Sequence, residues 1–268
     1  MSDKYTVIGG NGFIGGEIVS LLKEKGETVN VPVRDCKSLF STELGIVIFA
    51  AGNGDCVKKP FEVFNSNTKL LADILEHANF TKLIYISSTR VYMEQEASSE
   101  DSDLTVCYND KRRLFNLTKL VAEELCLRSE SNTVIVRPSN VYGTAIHSKL
   151  FLPSITRDAV NKKNVNMYVT PSYAKDYISV KDLVEMIYRI SQGAKKRIYN
   201  IASGINTSAD EIAKLLIEHS GCEISWHEGF MDDHFPITDI SSIENEFNFK
   251  PRILAEDIQS MIISLKNC

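Results

Sequence analysis

Short apolar runs alternate with stretches of helical periodicity through the first half of the chain. Tyr5–Gly9 reads as a buried strand, and Gly12–Lys25 follows with Ile14, Ile18, Leu21 and Leu22 on one helical face. Gly26 ends that helix, and Thr28–Val33 reads as a second strand. Gly45–Ala50 is an unbroken apolar run bounded by turn residues, the pattern of a central parallel strand buried on both faces. A helix over Phe61–His77, a strand over Leu83–Ser87, a long helix over Arg112–Arg128 and a strand over Thr133–Arg137 complete the alternation. Strands and helices in this rhythm predict an α/β fold with a doubly wound parallel sheet. Only about 10 residues separate the second strand from Gly45–Ala50, too few for a full crossover helix and a further strand, so the sheet is expected to be trimmed on that side.

After Gly143 the rhythm loosens. Helical stretches are predicted at Lys149–Val160, Val180–Ser191, Ser208–Ser220 and Ala255–Leu265. Short strands are predicted at Asn166–Val169, Tyr177–Ile178, Arg197–Ile201 and Glu223–Trp226. The reading is a doubly wound α/β domain over residues 1–143 and a smaller C-terminal α/β lobe over 144–268. Some of the lobe's elements are expected to return to the main sheet.

Composition narrows the classes. The chain has 268 residues, 43% apolar and 24% charged, as in ordinary globular proteins. A net charge of −5 gives no footprint for nucleic acid. The basic runs Lys111-Arg112-Arg113 and Lys195-Lys196-Arg197 read as solvated faces. A strand pattern starts just after Lys4, so no signal peptide is expected, and no apolar run is long enough to span a bilayer. The six cysteines lack Cys-x-x-Cys spacing, and neither a disulfide framework nor a metal site is expected. A cytoplasmic protein is the natural expectation.

The chemistry begins in the first turn, Gly9-Gly10-Asn11-Gly12-Phe13-Ile14-Gly15, which links a strand to a helix. Gly9 permits the tight turn, Gly12 lets a pyrophosphate approach the backbone, and Gly15 lets helix and strand pack closely. The helix N-terminus offers free N–H groups to the phosphates. Past the second strand comes Arg34-Asp35. Arg34 can pair with a 2′-phosphate, which favours NADP(H) over NAD(H). In the competing reading Arg34 is a surface residue and Asp35 binds the ribose.

These residues and several later ones resemble the extended short-chain dehydrogenase/reductase family, in particular its sugar-nucleotide epimerases, dehydratases and reductases. The resemblance spans nearly the whole chain. It rests on the glycine turn, on Ala50-Ala51, on Ile86-Ser87-Ser88-Thr89-Arg90-Val91-Tyr92 and on Lys119-Leu120-Val121-Ala122-Glu123-Glu124. It continues through Arg137-Pro138-Ser139-Asn140-Val141-Tyr142-Gly143, Lys175-Asp176-Tyr177-Ile178 and Tyr199-Asn200-Ile201-Ala202-Ser203-Gly204. The resemblance implies a Rossmann-like sheet. It implies a cofactor site of Gly9, Gly12, Phe13, Ile14, Gly15, Arg34, Ala50, Ala51, Ser87, Lys119, Pro138 and Ser139.

By the same resemblance Ser88 would hydrogen-bond the substrate oxygen, and Lys119 would bind the nicotinamide ribose. The family's tyrosine belongs four residues before that lysine, one helical turn away. Phe115 stands there, and a phenyl ring carries no proton. Three explanations compete: another residue supplies the proton, with Tyr108 leading and Tyr92 and Cys107 behind; the reaction needs no such acid; or the protein binds nucleotide without transferring hydride. Asn140 resembles a contact to the bound sugar nucleotide, and Lys175 falls where relatives often carry an arginine for its diphosphate. Ser88, Tyr92, Phe115, Asn140 and Lys175 would thus face substrate, while Asp176 orders a turn. His227 and His234 read as loop residues. The implied function is NADP(H)-dependent oxidoreduction, epimerisation or dehydration of a nucleotide-activated sugar. The alternative is a nucleotide-binding sensor or interaction protein without hydride transfer. Relatives often dimerise through two long helices, here Phe61–His77 and Arg112–Arg128.

Overall fold

A computed structural model describes residues 3–33, 37–143, 150–228 and 233–267. Arg34, Asp35, His147 and Asp232 lie outside the described residues, and with Arg34 and Asp35 goes the direct reading of cofactor preference. The chain divides into two compact units. The first comprises Met1–Val91, Asp103–Pro138 and Val184–Asn200, and the second Tyr92–Ser102, Ser139–Leu183 and Ile201–Cys268.

The first unit is the α/β, Rossmann-like layer structure that the alternation predicts. Its strands are β1 (Lys4–Ile8), β2 (Thr28–Asn30), β3 (Ile46–Phe49), β4 (Lys82–Ile86) and β5 (Thr133–Pro138). With Ile198–Ile201, numbered β9 below, they form a six-stranded sheet in the order β2-β1-β3-β4-β5-β9. The pairs β1/β2, β1/β3, β3/β4 and β4/β5 are parallel. The order steps outward in both directions from β1/β3, the reversal at which such sheets open a crevice. No strand lies beyond β2 among the described residues. Regular pairing of β2 ends at Asn30, short of the expected Val33, because this is an edge strand and Pro32 has no N–H to donate.

Helix α1 (Phe13–Glu24) follows β1 and buries Gly15, Ile18 and Leu22. The single helix expected over Phe61–His77 is instead α2 (Pro60–Phe64), a π-helical turn (Asn65–Lys69) and α3 (Leu70–His77). The cause is visible at Asn67. Its Nδ2 donates to Thr118 Oγ1 at 3.0 Å and to the Asn53 carbonyl at 3.2 Å, and its Oδ1 accepts from Asn53 N at 2.9 Å. Thr68 Oγ1 donates to the Thr118 carbonyl at 2.9 Å. The wider turn swings these two polar side chains inward, where a regular helix would leave the ladder unbroken. Helix α4 (Arg113–Arg128) packs Ala122 and Cys126 with Leu71 and Ile74 of α3 onto Val47, Phe49, Leu83 and Tyr85 of the sheet.

The second unit holds β6 (Asn140–Tyr142), α5 (Phe151–Asn161), β7 (Asn164–Met167) and β8 (Ala174–Ser179). Helix α6 (Val180–Gln192) leads out of it to β9. It resumes with β10 (Asn206–Ser208), α7 (Ala209–Ser220), β11 (Glu223–Trp226), α8 (Ser241–Phe247) and α9 (Leu254–Lys266). Strands β10, β8 and β6 form one small sheet, and β7 and β11 another. At the start of α7 Ser208 accepts from Glu211 N at 3.2 Å while Glu211 reaches back to Ser208 N at 2.7 Å, a reciprocal capping box. Leu152, Ile155, Ile212, Leu216, Ile258 and Ile262 from α5, α7 and α9 build its core.

Candidate functional site

The glycine turn is built for a close backbone approach. Gly9 has φ +83°, and a Cβ there would lie 2.7 Å from Ala51 N, so only glycine fits between β1 and the end of β3. A Cβ at Gly15 would meet the Gly9 carbonyl oxygen at 2.1 Å, so α1 can rest on the turn only with glycine there. Gly12 is the N-cap of α1 and supplies no capping side chain; Phe13 and Ile14 begin the helix, half-buried. The first turn carries no acidic residue. Its N–H groups and the positive end of the helix dipole are therefore left for an anion. Beside them opens a cavity of about 870 Å³, lined by the turn, Pro32, Val33, Leu39, Phe40, Ala50, Ala51 and Gly52. The π turn contributes Asn65, Ser66 and Lys69 to the opposite wall. A cradle that side chains would fill, next to free helical N–H groups, fits a dinucleotide pyrophosphate.

Ser88 and Lys119 stand on neighbouring elements of the same unit. Ser88 follows β4, half-buried, and its Oγ accepts from Arg90 N at 3.2 Å, a local turn that fixes the hydroxyl. Lys119 is 4% exposed on α4. Its Nζ donates to the Ile86 carbonyl at 2.7 Å and lies 4.8 Å from the Tyr85 ring centre. Burial pulls its pKa down to about 8, against the opposing charge of Glu123. Beneath it, Arg137 clamps the Glu123 carboxylate, with Nη2 at 2.5 Å and Nε at 3.1 Å, and the Ser87 hydroxyl donates to the same carboxylate. Ser87, expected at the cofactor, thus has its side chain committed to this buried network.

Phe115 lies one turn before Lys119 on α4. Its ring centre lies 5.8 Å from Lys119 Nζ, and Arg112 stacks on it at 4.8 Å. The proposed substitute acids are placed less favourably. Tyr108 is 82% exposed, with the Arg113 guanidinium 4.7 Å over its ring. Tyr92, in the second unit, is buried and donates its hydroxyl to the Ser99 carbonyl at 3.2 Å.

Two features of this unit escaped sequence reasoning. Asn67 pins the loop after β3 to α4 through the bonds given above. Asp110 forms a buried ion pair with Arg90 at 2.8 Å and also accepts from Arg112 N at 2.8 Å and Asn116 Nδ2 at 3.2 Å. That carboxylate ties the Ser88 loop to the helix that carries Phe115 and Lys119. The partners are 20 positions apart along the chain and leave no periodic signal. The polar run Asn65-Ser66-Asn67-Thr68-Lys69 inside the helical stretch was the available hint at Asn67.

In the second unit, Asn140, Tyr173, Lys175 and Tyr177 line a smaller cavity of about 230 Å³. Asn140 Nδ2 donates to the Asp176 carbonyl at 2.8 Å. Lys175 Nζ lies 4.5 Å from the Tyr173 ring and 4.9 Å from that of Phe235. Asp176 is buried and accepts from Ser203 N at 2.9 Å and Ile205 N at 3.1 Å, ordering the turn after β9. Pro138 ends β5, and Ser139 N donates to the Ile201 carbonyl at 3.1 Å. His227 stacks on Tyr168 at 4.6 Å, and His234 N donates to Glu94 at 2.6 Å. Among the described residues no cluster of three metal-binding side chains occurs, and no helix is long and apolar enough to cross a membrane.

The pattern of the NAD dependent epimerase/dehydratase family matches residues 5–202. GDP-6-deoxy-D-talose 4-dehydrogenase of Aggregatibacter actinomycetemcomitans is 27% identical over 252 residues, 84% of this chain and 81% of that protein. Among solved structures, TunA, an NAD dependent NDP-hexosamine 5,6-dehydratase involved in tunicamycin biosynthesis, superposes with a TM-score of 0.85 at 18% identity, covering 99% of this chain and 98% of that one. RMD from Pseudomonas aeruginosa, complexed with NADPH, gives 0.80 at 18% identity over 100% of both chains. These structures share the fold. With the family pattern running from β1 through β9, over residues 5–202, the chain belongs to the NAD dependent epimerase/dehydratase family.

Proposed function

We propose that this protein is an enzyme that moves a hydride between a carbinol of a nucleotide-activated sugar and a nicotinamide cofactor. That step is shared by the dehydrogenases, epimerases and dehydratases its relatives are named for. The observation that carries the reading is the grouping, in one compact unit, of the glycine cradle, the fixed Ser88 hydroxyl and the buried Lys119 amine. When bound, the cofactor supplies the hydride acceptor or donor. Gly9, Gly12 and Gly15, with Phe13 and Ile14 at the start of α1, hold its pyrophosphate, and Ala50, Ala51, Pro138 and Ser139 line its path. Lys119 holds the ribose, and Ser88 orients the sugar oxygen. Asn140 and Lys175 bind the nucleotide sugar; Lys175 offers a point charge where an arginine would offer a fork.

NADP(H) is the preferred cofactor in this reading, on the strength of Arg34 alone. The fold does not choose, since one neighbour is named for NAD and another holds NADPH. The working assembly is a homodimer, favoured by the apolar stripe Leu117, Val121 and Leu125 on the outer face of α4, 42%, 51% and 37% exposed. A cytoplasmic setting keeps Cys56, Cys107, Cys126 and Cys222 as thiols.

The test is single-turnover change in nicotinamide absorbance on mixing cofactor-loaded protein with a panel of nucleotide sugars. Reduction with at least one of them is expected. Tight cofactor binding with no absorbance change across the panel would overturn the reading. Titration with both cofactors, repeated on Arg34→Ala, checks the preference: affinity for NADPH should fall about tenfold or more and that for NADH change little.

A further inference from the structure

We infer that Lys119 is itself the group that takes the sugar hydroxyl proton and gives it back, the duty that Phe115 leaves open. The inference rests on the hydride-transfer reading above.

Its ground is the surroundings of one nitrogen. Among the described residues Lys119 Nζ has one hydrogen bond, to the Ile86 carbonyl at 2.7 Å. The Tyr85 and Phe115 rings stand at 4.8 and 5.8 Å. On a further side lies Gly52, where a Cβ would come to 3.8 Å from Nζ. Gly52 also lines the large cavity, so no side chain of that residue stands between nitrogen and cavity. A neutral amine here keeps an N–H on Ile86 and has a lone pair for an incoming proton.

Every other titratable group nearby is committed. Tyr85, from β4, donates its hydroxyl to the Asn67 carbonyl at 3.2 Å. Glu123, one turn on along α4, is clamped by Arg137 of β5 and by Ser87, so its pull on the ammonium is divided. Arg112 faces the Phe115 ring and keeps its proton at any working pH. Burial then decides, and a pKa of about 8 leaves the amine able to exist in both forms near neutrality. A lysine at its ordinary value would be locked as ammonium and could not act as a base.

The step balances. In oxidation the carbinol C–H bond breaks and its hydride goes to nicotinamide C4 of oxidised NAD(P). The O–H bond breaks and its proton forms a new N–H bond on Lys119, leaving the ketone. Reduction reverses each transfer, with the ammonium as acid.

The experiment compares wild type with Lys119→Arg, which keeps the charge for the ribose but cannot deprotonate. Three quantities are read: the pH titration of the Lys119 side chain by NMR in cofactor-free protein, cofactor affinity by calorimetry, and the single-turnover rate against pH. We expect titration near 8 and an oxidation rate that falls below that point. Lys119→Arg should keep cofactor affinity within about threefold and lose about 10²–10⁴ in rate. Should the arginine fail to fold, Lys119→Ala with added small amines replaces it, and a rate restored in proportion to the free-base amine is expected. Titration of Lys119 at the ordinary lysine value, or turnover by Lys119→Arg within about tenfold of wild type, or an alanine variant deaf to amines, would overturn the inference. Wild type that transfers no hydride to any nucleotide sugar would instead bring down the functional reading, and the proton role with it.

Discussion

At the scale of single residues the site is a contest between burial and charge, and Lys119 shows which wins. Its pKa falls from 10.5 to about 8, so the folded protein holds this proton less tightly than the unfolded chain does. The resulting penalty is full below about 8, fades between about 8 and 10.5, and is gone above. Lys119→Met should therefore stabilise the cofactor-free protein by about 1–3 kcal/mol at neutral pH, with the gain shrinking as pH rises past 8. Denaturant melts at pH 7 and 10 check both the sign and the trend. Arg137 and Glu123 behave oppositely, because each neutralises the other at 4% and 3% exposure. Arg137→Met alone strands a buried carboxylate and should cost about 3–5 kcal/mol in the same melts, more than the double variant with Glu123→Leu. That Phe115 stands where the family resemblance implies a tyrosine was readable in the sequence. That Tyr108 is largely exposed, and that Lys119 faces a glycine, was not, since both depend on side chains brought together from separate elements.

At the scale of elements, two local departures from regularity shape the large cavity of the first unit. The first is the β1–α1 turn, whose glycines were legible because each answers a backbone demand. Gly15→Ala would drive a methyl group against the Gly9 carbonyl, and α1 would have to retreat from the turn. We expect cofactor affinity to drop about 100-fold or more while the circular dichroism spectrum stays native, as calorimetric titration can show. The second is the π turn at Asn65–Lys69, which hydrophobic periodicity alone could not reveal: the apolar residues of Phe61–His77 still read as one helix. The turn exists because Asn67 finds partners on Asn53 and Thr118, 14 and 51 positions away. Asn67→Ala should cost about 1–3 kcal/mol by leaving buried groups unpaired. A loss well under that in thermal melts would mean the turn is set by packing instead.

At the scale of the whole molecule, the apolar stripe on α4 is the feature that single-chain folding leaves unexplained. Phe61 and Phe64, 82% and 47% exposed on α2, extend the apolar surface of the first unit. Burying such a face removes apolar area from water, which is the driving force for association. Val121→Asp, at 51% exposure, should leave the fold intact and convert a dimer to a monomer in light scattering. A wild type that is already monomeric at the highest concentrations would refute the assembly.

What the sequence determined by itself was whatever is encoded by neighbours along the chain: alternating strands and helices, and the glycine turn that follows β1. These follow from backbone geometry and from periods of two and 3.6 residues, both local. Tertiary structure alone decided the rest: the early end of β2, the π turn, the Arg90–Asp110 and Arg137–Glu123 pairs, and the commitment of Ser87 and Tyr92 to the protein's own carboxylate and carbonyl. The reason is physical. A buried polar group must find a partner wherever the fold supplies one, and that partner's position in the chain is free.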